Sequence, residues 1–370
     1  MITFKKVLFL AFVTAYSLTV SAETITLKVC EWEGYIMPWE SEFKAYAKQR
    51  GIDVDLELYP EYLSSPEQIF TLVRGKKCDI VTPTHNYFSQ RNNQLFLSLL
   101  PLDFSRIPNY AHVIPELKDL KYKEYKGQSF AVPLLGGSYG LAYNADKVKE
   151  PTSFDVLFDP ANKCKITLTK AQFAANFYLA TLKAGYTPES IYNMDNVIQL
   201  GGFKDQLIQN NLNQLYSNVC AQDRFWDGEA DFSKPDLLYG TTYWFGVATA
   251  NRKGLNWKIA SNVRSTVWLD TISFVPTLLQ SPKKLEAAYL LADFMLSAPI
   301  QEKIHNKYGV VIVNKKVKQA LSDVSEFYKE VWLWQPLTIR TQGLFSIMHN
   351  NALQALPIKR DAPLTSQSEY

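Results

Sequence analysis

The sequence predicts an α/β protein large enough for two domains, and two observations carry that reading. Between residues 24 and 81, strand-like and helix-like patterns alternate with short connections, the signature of a parallel sheet covered by helices. At 370 residues the chain also exceeds what one core usually holds, roughly 150 residues being typical of a domain. Composition agrees. A chain that is 47% apolar and 20% charged, with 16 Gly and 18 Pro, is neither disordered nor collagen-like, and 4 Cys are too few for a disulfide scaffold.

Taken in order, Thr24 to Glu31 reads as a strand, with Ile25, Leu27 and Val29 apolar at alternate positions. Residues 38–50 carry Trp39, Phe43, Tyr46 and Ala47 at helical spacing, stopped by Gly51. Val54 to Tyr59 alternates as a second strand, Glu67 to Arg74 is a short helix ended by Gly75, and Cys78 to Val81 is a third strand. An extended stretch at 129–133 leads through Gly136-Gly137 to a strand of a different sheet at Ser138 to Tyr143. Helical patterns follow at 170–184 and 187–215, then a strand at Val263 to Pro276 and an amphipathic helix over 283–296. A polar, Pro-containing tail from about 352 is expected to fray.

The N-terminus reads as an address. Lys5-Lys6, the apolar run Val7 to Val13, and small residues up to Val20-Ser21-Ala22 make a secretory signal peptide with cleavage after Ala22. The apolar run is too short for ~30 Å of hydrocarbon, and no later stretch approaches ~18 uninterrupted apolar residues. Setting those two lysines aside leaves 37 basic residues against 36 acidic, a balance that argues against nucleic-acid binding.

Export to an oxidising compartment makes disulfides possible. Cys30, Cys78, Cys164 and Cys220 allow three pairings, of which proximity in the chain favours Cys30–Cys78 and Cys164–Cys220. None lies in a CxxC or beside a His, so neither a metal nor a cofactor is expected. A secreted hydrolase has little support: His85, His112, His305 and His349 are scattered, no HExxH occurs, and Gly136 to Gly140 lacks phosphate-loop spacing. Those glycines read as flexibility at an interdomain crossing.

Ligands of open α/β sheets bind beyond the carboxyl ends of the strands. There the sequence delivers Glu31-Trp32-Glu33-Gly34-Tyr35, Thr82-Pro83-Thr84-His85-Asn86-Tyr87, Thr242-Tyr243-Trp244 and Trp268-Leu269-Asp270. Rings recur at each point, with carboxylates beside two of them. Aromatic faces with a few acids suit a cationic ligand with apolar methylenes, because the ring quadrupole attracts ammonium and a buried ammonium needs a carboxylate.

These blocks resemble the periplasmic spermidine/putrescine-binding proteins of bacterial polyamine uptake. Residues 31–35 resemble that family's opening Asn-Trp-x-Glu-Tyr, Asp79-Ile80-Val81-Thr82-Pro83-Thr84 its Asp-Leu-Val-x-Pro-Ser strand, Tyr243-Trp244-Phe245-Gly246 its Ile-Trp-x-Gly, and Trp268-Leu269-Asp270 its Trp-x-Asp. The resemblance implies a two-lobed periplasmic binding protein fold of type II, with the ligand held in a hinged cleft. Lobe 1 would take 23–134 and 267–313, lobe 2 would take 135–266 and 314–350, and 351–370 would form a tail. It further implies that Trp32, Tyr35, Trp244 and Trp268 box the aliphatic chain and that Asp270 holds the central amine. His85 or Tyr87 would sit at the site mouth, and Gln335 would contact a terminal amine.

Departures stand beside the matches. The family's acidic pair is replaced by Thr169-Lys170-Ala171-Gln172-Phe173, Val310 follows Gly309 where the family has Tyr, and the first-block acid is shifted to Glu33. Glu33 is the candidate for the missing charge. The implied partners are a polyamine and an inner-membrane ABC permease, with the protein a monomer. The alternative is a ligand-binding partner that docks, without transport, on the periplasmic domain of a membrane sensor in norspermidine or spermidine sensing and cyclic-di-GMP control.

Overall fold

The structure is a computed structural model. It describes residues 24–357 apart from 33, 89–94, 119, 121–122, 171, 188–189, 192–193, 200, 229, 244, 262, 264–265, 318–332 and 334–336. The expected leader at 1–22, Glu33, Trp244 and Gln335 therefore lie outside the described residues, as does the tail beyond 357.

In chain order the strands are β1 (Ile25–Cys30), β2 (Val54–Leu58), β3 (Ile80–Val81), β4 (Glu124–Tyr125), β5 (Gln128–Ser129), β6 (Val132–Ser138), β7 (Gly140–Asn144), β8 (Ile166–Thr167), β9 (Tyr239–Thr242), β10 (Trp257–Ile259), β11 (Val267–Phe274) and β12 (Val311–Ile312). The helices are α1 (Glu40–Lys48), α2 (Pro66–Arg74), α3 (Pro115–Lys118), α4 (Ala174–Lys183), α5 (Met194–Gln199), α6 (Asp205–Val219), α7 (Phe245–Arg252), α8 (Pro282–Leu296), α9 (Ala298–Tyr308) and α10 (Ile339–Gln354).

Two sheets define two lobes. The first has the order β12-β6-β11-β3-β1-β2 and the second β10-β7-β9-β8, each with its own apolar core. β1 pairs in parallel with β2 and β3, as the alternation of strands and helices predicts, but β11 joins β3 antiparallel and β6 joins β11 antiparallel, so the sheet is mixed. β11 is buried along its whole length, so its apolar residues are not confined to alternate positions and Asp270, Thr271 and Ser273 are buried with them. α8 begins where Ser281 Oγ accepts from Lys284 N, with Pro282 in the first turn, and its apolar side seals β1 and β6.

The chain crosses between the sheets at Tyr139 and again between β10 and β11. β6 stays in the first sheet to Ser138, four residues past the expected boundary at 134. Gly136 to Gly140, which has G-x-S-x-G spacing, runs as extended backbone from β6 into β7. A nucleophile elbow needs a sharp strand-to-helix turn there, so the match is one of spacing alone.

Two further expectations are corrected. The helical pattern over 187–215 is broken at Gly201-Gly202, where Gly201 has φ +72°, a conformation that L side chains rarely adopt, and α6 runs on to Val219. The expected tail from about 351 is in fact the end of α10, where Ala352 is buried and the helix packs on α6 and α4. The disulfides are Cys30–Cys78 in the first lobe and Cys164–Cys220 in the second, the pairing that proximity favours. No helix among the described residues is long and apolar enough to cross a membrane.

Candidate functional site

Between the lobes lies a cleft of about 1140 Å³. On the first lobe its wall is built by strand ends lying side by side. Trp32 forms an isolated bridge with Leu63, which extends the β1–β2 pairing, and Thr84 forms one with Asp270, which extends β3–β11. Four neighbouring segments therefore present side chains to one space: 62–67, 32–35, 84–87 and 268–270.

Asp270 is the chemical centre of that wall. The register of β11 against β6 slips between Asp270 and Thr271, pairing Asp270 with Leu135 and Thr271 with Pro133. A bulge of this kind re-aims a side chain, and Pro133, lacking an N–H, is tolerated beside it. Asp270 is 3% exposed, and Tyr35 donates its hydroxyl to Oδ2 at 2.6 Å. Oδ1 has no hydrogen-bond partner among the described residues. Burial drives its carboxyl up to about 7, against the opposing pull of the Thr84 and Tyr35 side chains. An acceptor oxygen buried beside a cleft without a donor is costly to keep, so the site is poised to receive one.

Around Asp270 the rings form a connected wall. Trp268 and Tyr35, both from the first lobe, lie 5.8 and 6.2 Å from Phe245 of the second, with interplanar angles of 25° in each case. Tyr243 meets Trp268 edge-on, and Tyr308 meets Phe245 edge-on. Burial, reinforced by the Asp270 charge, holds the Tyr35 hydroxyl well above the usual phenol range, so it stays a donor. Gly137 faces Trp268 across the β6–β11 ladder, and a Cβ there would stand 2.6 Å from the ring, so only glycine lets the indole lie flat.

Of the residues expected at the site, Trp32, Tyr35, Tyr87, Trp268 and Asp270 line the cleft. His85 does not: it is 2% exposed and its Nδ1 lies 3.2 Å from the Leu269 N–H, so its ring sits behind β11 while Tyr87, two residues on, turns to the opening. Glu33, Trp244 and Gln335 lie outside the described residues.

Glu31, the neighbouring acid, accepts from the Ile36 and Met37 N–H groups and closes the turn that carries Tyr35. Burial pushes its carboxyl up to about 8.

Sequence reasoning missed Phe245, Tyr308, Glu67 and the α10 face with Gln342, Gly343 and Ser346, all of which line the cleft. Phe245 was visible as the third consecutive ring of Tyr243-Trp244-Phe245, and Glu67 as the first-turn acid of a helix that starts just after a strand. No local signal points α10 at a site some 200 residues earlier in the chain. Where the family's acidic pair would stand, Gln172 and Phe173 line the second-lobe wall, and Phe173 stacks on the buried His349 of α10.

Two α/β lobes, joined by extended crossings and facing each other over an aromatic cleft with a buried acid, define a solute-binding protein. The chain belongs to the family of bacterial extracellular solute-binding proteins, whose model matches residues 43–332. It is similar to the putrescine-binding periplasmic protein PotF of Escherichia coli, 30% identical over 157 residues that span 40% of each chain. It is also similar to spermidine/putrescine-binding periplasmic protein 1 of Haemophilus influenzae, 24% identical over 306 residues, 81% of this chain and 79% of that one. The chain thus spans less than half the length of the first of these relatives in the matched stretch. Among solved structures, a putative spermidine/putrescine ABC transporter protein from Listeria monocytogenes superposes with a TM-score of 0.65 at 20% identity, covering 88% of this chain and 98% of that one. At that identity the likeness speaks for the fold.

Proposed function

We propose that this chain is a periplasmic receptor that captures a putrescine- or spermidine-like cation between its lobes and delivers it to an inner-membrane ABC permease. In this reading the protein is exported by a leader ending near Ala22 and works as a monomer. Its task is binding and release, with no chemistry on the ligand. Trp32, Tyr35, Tyr87 and Trp268 flank the methylene chain and Asp270 takes an ammonium.

One observation carries the reading: the buried Asp270 carboxylate, aimed into an aromatic cleft, with one oxygen unpaired among the described residues. A charge-assisted hydrogen bond from an ammonium completes it, and ring faces stabilise the rest of such a ligand. The names of the Escherichia and Haemophilus relatives support the same ligand class and compartment.

The test is a thermal-shift panel of putrescine, norspermidine, spermidine and spermine, with a neutral diol of matching length as the control. A ligand that prefers the folded state raises the midpoint in proportion to the logarithm of its concentration. A rise with amines and none with the diol is expected, whereas equal responses, or none, overturn the reading.

A further inference from the structure

Among the described residues, first-lobe acids alone line the cleft. Glu67 lines it from the first turn of α2, where Gln68 Oε1 accepts from Ser64 N (2.7 Å) and Ser65 N (3.4 Å) and so fixes the entry of the helix. Asn86 also lines the cleft, and its Oδ1 is buried with no hydrogen-bond partner among the described residues. Both acids act on one ring: burial, and then the charges of Asp270 and Glu67, raise the Tyr87 phenol above its usual range.

Sheet order sets the spacing. The segment ending in Glu67 follows β2, and the lanes then run through β1 and β3 to β11, which carries Asp270. Strands lie about 4.8 Å apart, so three intervals separate these lanes by on the order of 14 Å. The described cations that line the cleft, Arg252 and Lys307, are at the ends of α7 and α9 and are already engaged. There Arg252 donates to the Lys307 carbonyl and to Thr249 Oγ1, and Lys307 lies over the Trp39 and Tyr308 rings. The first-lobe edge is therefore acceptor-lined at both ends and aromatic between.

We propose that Glu67 and Asn86 form a second cation subsite on the first lobe. A linear triamine then lies across the strand ends, with one ammonium at Asp270 and a terminal one at Glu67. The first lobe alone holds both charges and reads the ligand's length, and the second lobe contributes the covering ring Phe245. This rests on the reading that the cleft takes an amine at Asp270.

Isothermal titration calorimetry of the exported, processed protein with butylamine, putrescine and spermidine separates the two claims. Wild type should bind spermidine more tightly than butylamine, and Glu67→Gln and Asn86→Ala should each reduce that affinity ratio by about tenfold, the scale of one charge-assisted hydrogen bond. Ligand-free melting of each variant establishes that it folds. Wild type that binds butylamine and spermidine alike, or ratios unchanged in both variants, overturns the second subsite while leaving the amine reading intact. Failure of every amine to bind wild type removes the amine reading, and the subsite with it.

Discussion

Asp270 and Glu31 are both carboxyls that burial pushes up, to about 7 and about 8. An unfolded carboxyl loses its proton near pH 4, at about 3.9–4.3. Between about pH 4 and pH 8 the folded chain therefore binds more protons than the unfolded one. These two sites then make stability fall as pH rises through that window and level off above it. Asp270→Asn removes the charge that burial penalises. The ligand-free variant should melt higher than wild type at pH 8, with the advantage shrinking by pH 5; scanning fluorimetry at the two pH values checks this, and equal shifts would refute it. The same substitution should weaken spermidine binding by one to two orders of magnitude, since a buried charge-assisted hydrogen bond contributes ~1.5–3 kcal/mol. Because an ammonium favours the ionised carboxylate, wild-type affinity should rise from pH 6 to pH 8 with proton release. Calorimetry in buffers of different ionisation enthalpy would show it, and binding heats independent of buffer would count against the linkage.

At the scale of elements, the fit of Trp268 against Gly137 is the contact most open to test. A methyl group at 137 meets the indole at 2.6 Å, and overpacking of this kind costs about 1–3 kcal/mol. Gly137→Ala should lower the melting temperature and weaken amine binding, with a changed tryptophan emission maximum; unaltered emission and affinity would show that the ring tolerates the methyl. β1, β2, α1 and α2 were legible in the sequence because each is short and strongly periodic, and all but β1 are flanked by Gly or Pro. The bulge that aims Asp270 was not, since it depends on how β6 pairs with a strand more than a hundred residues later. Nor was the side from which His85 meets β11, because in a 3-10 turn over 85–87 neighbouring rings point to different sides. The break between α5 and α6 was announced by Gly201-Gly202, but the apolar period runs on past it and hid the stop.

For the whole molecule, the two sheets and their separate cores make the lobes the natural moving parts, with the backbone at Tyr139 as a crossing between them. A ligand shifts such an equilibrium only by its differential affinity for the closed state. Small-angle scattering should record a smaller radius of gyration with saturating spermidine, and no change for Asp270→Asn at the same concentration. Wild type that keeps its dimensions while binding would mean the cleft is already shut. The two-lobed plan was legible from four short blocks of rings and acids in a particular order. The contribution of α10 to the cleft was not: 314–350 was assigned to lobe 2, but nothing local marks which face of that helix meets the opening.

The two covalent cross-links each stay inside one lobe, and no cysteine remains to join them. Each jaw is thus toughened separately and the bite is left free: on the proposed function, a receptor built this way would resist proteolysis without surrendering the motion by which it takes and gives up a ligand.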